Sequence, residues 1–234
     1  MIWKAIKAKI YENKEGWKMK KAMVLVLSLV VFLAFSNFAI AAPKMKEDFE
    51  KKELGEGWEV EGDAVVAQDK AHAGKGSLMV AVKSTVSFTF AEENCFGVAS
   101  FWVLDPGVKV SGGMSGSRWG IKNADDDKFC LENFWAAYLD GNAGYAYVCT
   151  SDNSWFSHWW PGVNRKKEWC KWTFDFTSDD GRMVTADDAT AKIDFEKVFK
   201  DGFVGLFFMG AGDEKGGVIY VDDVDVKANK PTKK

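Results

Sequence analysis

The sequence predicts an all-β fold, two antiparallel sheets packed face to face as a sandwich, with a signal-peptide helix ahead of it. Three observations point there. Short runs rich in Val, Phe, Trp and Tyr recur between Gly, Asp and Asn clusters, as strands do between turns. Several runs alternate: in Val86-Ser87-Phe88-Thr89-Phe90 and Trp172-Thr173-Phe174-Asp175-Phe176 the apolar side chains fall on one face. Helical periodicity is scarce. Only 191–200, AKIDFEKVFK, gathers a short apolar face from Ile193, Phe195, Val198 and Phe199, and this segment is expected to cap one end of the sandwich.

At the N-terminal end, residues 19–41 read as a secretory signal peptide, because Lys20 and Lys21 lead an apolar run from Ala22 to Phe35. Ala39 and Ala41 supply the small residues of the cleavage site, which places the cut before Ala42. The run is short for a bilayer span, which needs about 20 apolar residues, so no stable membrane insertion is expected after cleavage. Residues 1–18 are Lys-rich without signal character, and translation is expected to begin at Met19. What remains is one domain over 42–227 and a polar, disordered tail over 228–234. The leader takes seven Lys and two Glu with it, leaving 24 basic side chains against 32 acidic. So acidic a chain is a poor partner for nucleic acid, whose phosphates call for a basic face.

Strands are expected over 58–60, 64–68, 77–82, 86–90, 98–104, 118–122, 129–133, 144–150, 171–176, 202–209 and 218–226. Turn residues punctuate them, at Asp105-Pro106-Gly107, Asp140-Gly141-Asn142, Asp180-Gly181 and Gly216-Gly217. Segment 112–117, GGMSGS, is expected to be mobile. Four cysteines follow the leader, Cys95, Cys130, Cys149 and Cys170, an even number that suits disulfides in an exported protein. Spacing does not choose among the three connectivities. A Cys149–Cys170 bridge is preferred because it would staple the base of the stretch described next.

Residues 155–172 read WFSHWWPGVNRKKEWCKW, with five Trp, one Phe and one His beside Pro161 and Gly162. Proline donates nothing to a sheet ladder and Pro-Gly favours a turn, so an exposed loop is expected around Trp159 and Trp160. Large apolar rings near water mark a binding surface. Pyranose sugars stack an apolar C–H face on such rings and turn their hydroxyls to polar side chains. Trp155, Trp159 and Trp160 are the expected platforms; Asn153, His158, Asn164 and Arg165 are the expected hydroxyl partners. The competing reading puts these Trp in an aromatic-rich core. Trp172 is expected in the core in either case.

Three further pieces carry a resemblance: Asp48-Phe49-Glu50 with Gly57-Trp58, then Ala71-His72-Ala73-Gly74-Lys75-Gly76-Ser77-Leu78, and finally Ile219-Tyr220-Val221-Asp222-Asp223-Val224. In this order they resemble the start and finish of bacterial carbohydrate-binding modules with a galactose-binding-like jelly roll. The concanavalin A-like, laminin G-like sandwiches are a close rival. The resemblance covers about residues 46–83 and 218–227 and implies that the first and last strands lie side by side. It also implies a structural calcium held by Glu50, Asp48, the backbone around Gly74 to Gly76, and Asp222 or Asp223. Calcium takes six to eight oxygen ligands and accepts carboxylates mixed with carbonyls. Adjacent strand residues point to opposite faces, so only one of the two aspartates is expected to face the ion. The competing reading is an acidic edge that discourages strand pairing with other chains.

Signs of catalysis are few. Only His72 and His158 are present, and neither stands in a recognisable nucleophile motif. Carboxylates that could flank a glycosidic bond exist, among them Asp125, Asp126, Asp127, Glu132, Asp152 and Glu168, but not in the closely spaced Glu-x-Asp-x-x-Glu strand of sandwich glucanases. The expected function is therefore non-catalytic binding of a polysaccharide by a secreted or periplasmic protein. The alternatives are a polysaccharide-cleaving enzyme, lyase or glycosidase, of the same fold, and an envelope adhesion domain that contacts another protein.

Overall fold

The computed structural model describes residues 44–106, 116–125, 128–135, 143–149, 158–164, 168–177, 183–187, 189–192, 199, 202–211 and 217–229. All belong to the unit Ala42–Lys234. The leader, residues 230–234 of the tail, Asn153, Trp155 and Arg165 lie outside the described residues.

Among the described residues fifteen strands follow in order: β1 (Lys44–Glu47), β2 (Trp58–Glu61), β3 (Ala64–Ala67), β4 (Ser77–Val80), β5 (Thr85–Thr89), β6 (Phe96–Leu104), β7 (Arg118–Lys122), β8 (Lys128–Trp135), β9 (Ala143–Cys149), β10 (His158–Asn164), β11 (Trp169–Asp175), β12 (Met183–Ala186), β13 (Ala189–Lys192), β14 (Gly205–Met209) and β15 (Ile219–Asn229). They form two antiparallel sheets of a jelly-roll sandwich. Sheet 1 runs β13-β12-β11-β6-β15-β4-β3, with β1 also paired to β15; sheet 2 runs β10-β9-β8-β7-β14-β5-β2. The first and last strands are neighbours, from Lys44 opposite Lys227 to Glu47 opposite Val224.

Alternation builds the core. In β6 every second residue from Gly97 to Val103 is buried, and in β11 Cys170, Trp172 and Phe174 turn inward. Rings then meet across the sandwich: Phe101 of sheet 1 stands edge-on to Phe208 of sheet 2 at 5.0 Å, and Trp172 to Trp119 at 5.6 Å. All four are fully buried, each contributing about 1.5–3 kcal/mol of transfer free energy. Trp172 is a core residue, as its place in an alternating strand requires.

Four expectations are corrected. The segment around Trp159 to Pro161 is not a loop but the edge strand β10, since an edge needs no donor from proline on its open side. Its pairing is broken, however: Trp159 faces Ala146 and Asn164 faces Gly144, so residues 160–163 oppose the single residue Tyr145. The helix expected over 191–200 is absent where its start is described, because Ala191 and Lys192 close strand β13. Ser117, expected in a mobile segment, is buried; its hydroxyl donates to the Gly217 carbonyl at 2.8 Å and accepts from Ala211 N at 3.1 Å. The tail is shorter than expected, because Ala228 and Asn229 close strand β15 and Ala228 is buried. The two cysteines of the expected bridge lie in different sheets. Cys149 lies on β9 of sheet 2 and Cys170 on β11 of sheet 1, where its buried thiol approaches the Lys171 carbonyl at 3.9 Å.

Candidate functional site

Register places the aromatic edge at the end of a long row. Glu61 pairs with Thr85, Thr85 with Met209, Met209 with Arg118, Arg118 with Glu132, Glu132 with Ala146, and Ala146 with Trp159. The row crosses all seven strands of sheet 2, about 29 Å at the usual strand spacing. Its neighbours Val86, Trp119 and Phe208 are buried in the core, so alternation turns Thr85, Arg118 and Met209 to the outer face. Arg118 brings a fixed positive charge and a fork of donors to the centre of that face.

β10 therefore extends a face that already carries polar side chains. Trp159 stands in the row; Trp160, Pro161 and Gly162 fall in the register break beside it. His158 pairs with Tyr147 and Asn164 with Gly144, so both expected hydroxyl partners share this strand with Trp159 and Trp160.

A second cluster sits on sheet 1, where the expected calcium residues gather around the 70–77 turn. Asp222 is fully buried. Its Oδ2 accepts from His72 N at 2.8 Å and Ala73 N at 3.2 Å, and its Oδ1 accepts from Asp223 N at 2.8 Å. Burial pushes the Asp222 carboxyl above its ordinary range, outweighing the backbone N–H bonds that pull it down. Glu50 Oε1 holds the far end of the turn, accepting from Lys75 N at 2.7 Å and Gly76 N at 3.1 Å. Asp48 Oδ1 accepts from Glu50 N at 3.2 Å. Gly74 is left-handed at φ 66°, and a Cβ there would fall 2.0 Å from Glu50 Oε1. Only glycine allows that approach.

The expectation that Asp222 and Asp223 face opposite ways fails, for a local reason. Asp222 pairs with Trp102 and Asp225 with Ser100, so two residues of β15 oppose the single Phe101. This bulge, with Asp223 at φ 49°, breaks the alternation. Both carboxylates then reach one residue: Asp222 takes the His72 backbone N–H, and Asp223 Oδ2 takes His72 Nδ1 at 2.7 Å. The His72 ring lies on Trp102, and Lys70 lies over Tyr220 with Nζ 3.2 Å from its hydroxyl.

This donor set does not fit calcium. The carboxylates of Glu50 and Asp222 are occupied by amide N–H groups where a calcium site would present carbonyl oxygens. Among the described residues no three His, Cys, Asp or Glu side chains gather closely enough to hold a metal.

No protein-family model matches the chain, and no curated protein matches it in sequence. Solved structures do match in shape. A Crh5 transglycosylase is 16% identical with TM-score 0.54, over 82% of this chain and 87% of that one. A GH16 protein of a Bacteroides ovatus mixed-linkage glucan locus, in complex with its G4G4G3G product, is 14% identical with TM-score 0.54, over 78% and 99%. The cellulose-induced protein Cip1 is 11% identical with TM-score 0.53, over 80% and 98%. The chain shares their sandwich fold. At such identity the likeness concerns architecture, and residue roles rest on the geometry above.

Sequence reasoning overlooked Arg118, Trp102, Lys70 and Tyr220. Only the alternation of β6 and β7 signalled that Trp102 and Arg118 turn outward, and nothing local showed which residues would lie against them.

Proposed function

We propose that this chain is an exported, non-catalytic polysaccharide-binding protein whose sugar platform is the outer face of sheet 2 at its β10 edge. The observation that carries the reading is the position of Trp159, in register with a row that includes Arg118, and of Trp160 beside it where the ladder of this edge strand breaks. Trp rings there stack on pyranose C–H faces, while Arg118 and Asn164 take hydroxyls. The row crosses the strands, which suits an extended polymer better than a single small sugar. The sandwich fold shared with a GH16 protein and a transglycosylase is consistent with this reading. Affinity is expected to be modest, because ring stacking offsets only part of the cost of immobilising a flexible chain.

Trp159→Ala and Trp160→Ala should each abolish retention in glycan-loaded affinity gels while leaving near-ultraviolet circular dichroism intact. Two variants that are retained like the parent on every glycan would refute the site. Release of reducing ends or unsaturated products from the same panel would replace binding with cleavage. Capture of a protein partner without any glycan would point to adhesion.

A further inference from the structure

A groove of about 490 Å³ opens where the sheets part, between β1 of sheet 1 and the β2–β5 edge of sheet 2. Its volume lies within the roughly 300–1,000 Å³ of pockets that enclose small molecules. Met45, Trp58, Phe88 and Phe90 floor it, and each is only partly buried, so apolar rings meet water there. The floor is preformed. Trp58 is wedged against Phe49 at 5.6 Å, Phe88 at 5.1 Å and Phe208 at 6.2 Å. Gly57, at φ 91°, lets the chain press onto Phe88, where a Cβ would come within 2.9 Å of the ring.

The rim selects the ligand. Lys44, Lys46, Glu47 and Glu56 surround the floor, two ammonium groups against two carboxylates, with Thr89 beside them. An anion would meet two carboxylates and a cation two ammoniums. A neutral polyol is repelled by neither, because each hydroxyl can donate to a carboxylate and accept from an ammonium. A flat apolar face surrounded by such hydroxyls is a pyranose ring. We propose that this groove is a second binding site, for one or two neutral sugar units stacked on the aromatic floor. It lies apart from β10 and does not depend on the platform proposed there.

The test is a titration of the ¹⁵N-labelled protein, following the Trp58 indole Nε1–H resonance, which Trp58→Phe identifies. Cellobiose and xylobiose should shift it saturably; digalacturonate should not. The double variant Lys46→Ala/Glu56→Ala, both exposed, should weaken the response about tenfold, while Trp159→Ala should leave it unchanged. No shift with either neutral disaccharide, an equal shift with digalacturonate, a shift with hexanol alone, or an undiminished response in the rim variant would each overturn the proposal. Failure of the β10 reading shows elsewhere: polysaccharide retention that survives Trp159→Ala and Trp160→Ala overturns that platform and leaves the Trp58 response as it was.

Discussion

His72 lies flat on Trp102, ring centroids 3.7 Å apart and planes 15° from parallel. Trp169 meets the same His72 ring edge-on at 6.0 Å, and Asp223 fixes Nδ1 at 2.7 Å. One side chain thus ties the 70–77 turn to β6, β11 and β15. The stack is worth about 0.5–1.5 kcal/mol, and the partly exposed ion pair adds at most about 1 kcal/mol. His72→Ala should therefore lower stability by about 1–2 kcal/mol in urea unfolding. His72→Phe, which keeps a ring without the Asp223 partner, should recover part of that loss. Equal losses in the two variants would show that the stack contributes nothing.

Asp222 has a heavier role. It is sealed from water, and its two oxygens accept three backbone N–H groups. Asp222→Ala leaves those donors without an acceptor and should cost about 2–4 kcal/mol. Asp222→Asn keeps one oxygen for His72 and Ala73 but turns an amide donor toward Asp223 N, so an intermediate loss is expected. If Asp222→Ala unfolded at the parental urea midpoint, the carboxylate would not be what holds the turn.

The fold was legible because alternation survives in the central strands. Trp172 to Phe176 declared a buried face, and Val86 to Phe90 one that is buried at Val86 and half-buried at Phe88 and Phe90; the resemblance placed the termini side by side. What could not be read was non-local. The four-residue β1, β12 and β13 are too short to show a period. Pro161 argues for a loop unless the strand is known to lie on an edge, and edge position is a property of the whole sheet. The same holds for Asp222 and Asp223: the alternation rule fails there because a bulge opposite Phe101 turns both to one side. The groove over Trp58 joins residues of β1, β2 and β5, and no short window of sequence contains it.

Across the sandwich, Phe101 and Phe208 meet at 82° with centroids 5.0 Å apart, and Phe101 also stacks on Phe174 at 5.8 Å. Phe101→Ala empties this junction and should destabilise by about 3–5 kcal/mol. Phe101→Leu, closer in volume, should cost clearly less. The measurement is the urea midpoint; the cavity account fails if the two variants unfold together.

The last prediction concerns what holds the first and last strands to the 70–77 turn. In calcium-bound sandwiches such an assembly depends on the ion, and chelation lowers the melting temperature because the ligand stabilises only the folded state. Here Glu50 and Asp222 each accept two N–H groups of the turn through one oxygen, and Gly74 closes against Glu50 with no room for a side chain. These bonds supply inside the chain the attraction that a cation would otherwise provide. The melting temperature should therefore be the same in EDTA and in excess calcium, whereas Gly74→Ala should lower it, through a left-handed φ and a blocked Glu50, by the equivalent of at least about 1 kcal/mol. A melting temperature that falls in EDTA and returns with calcium would show that the carboxylates exchange their amide partners for an ion.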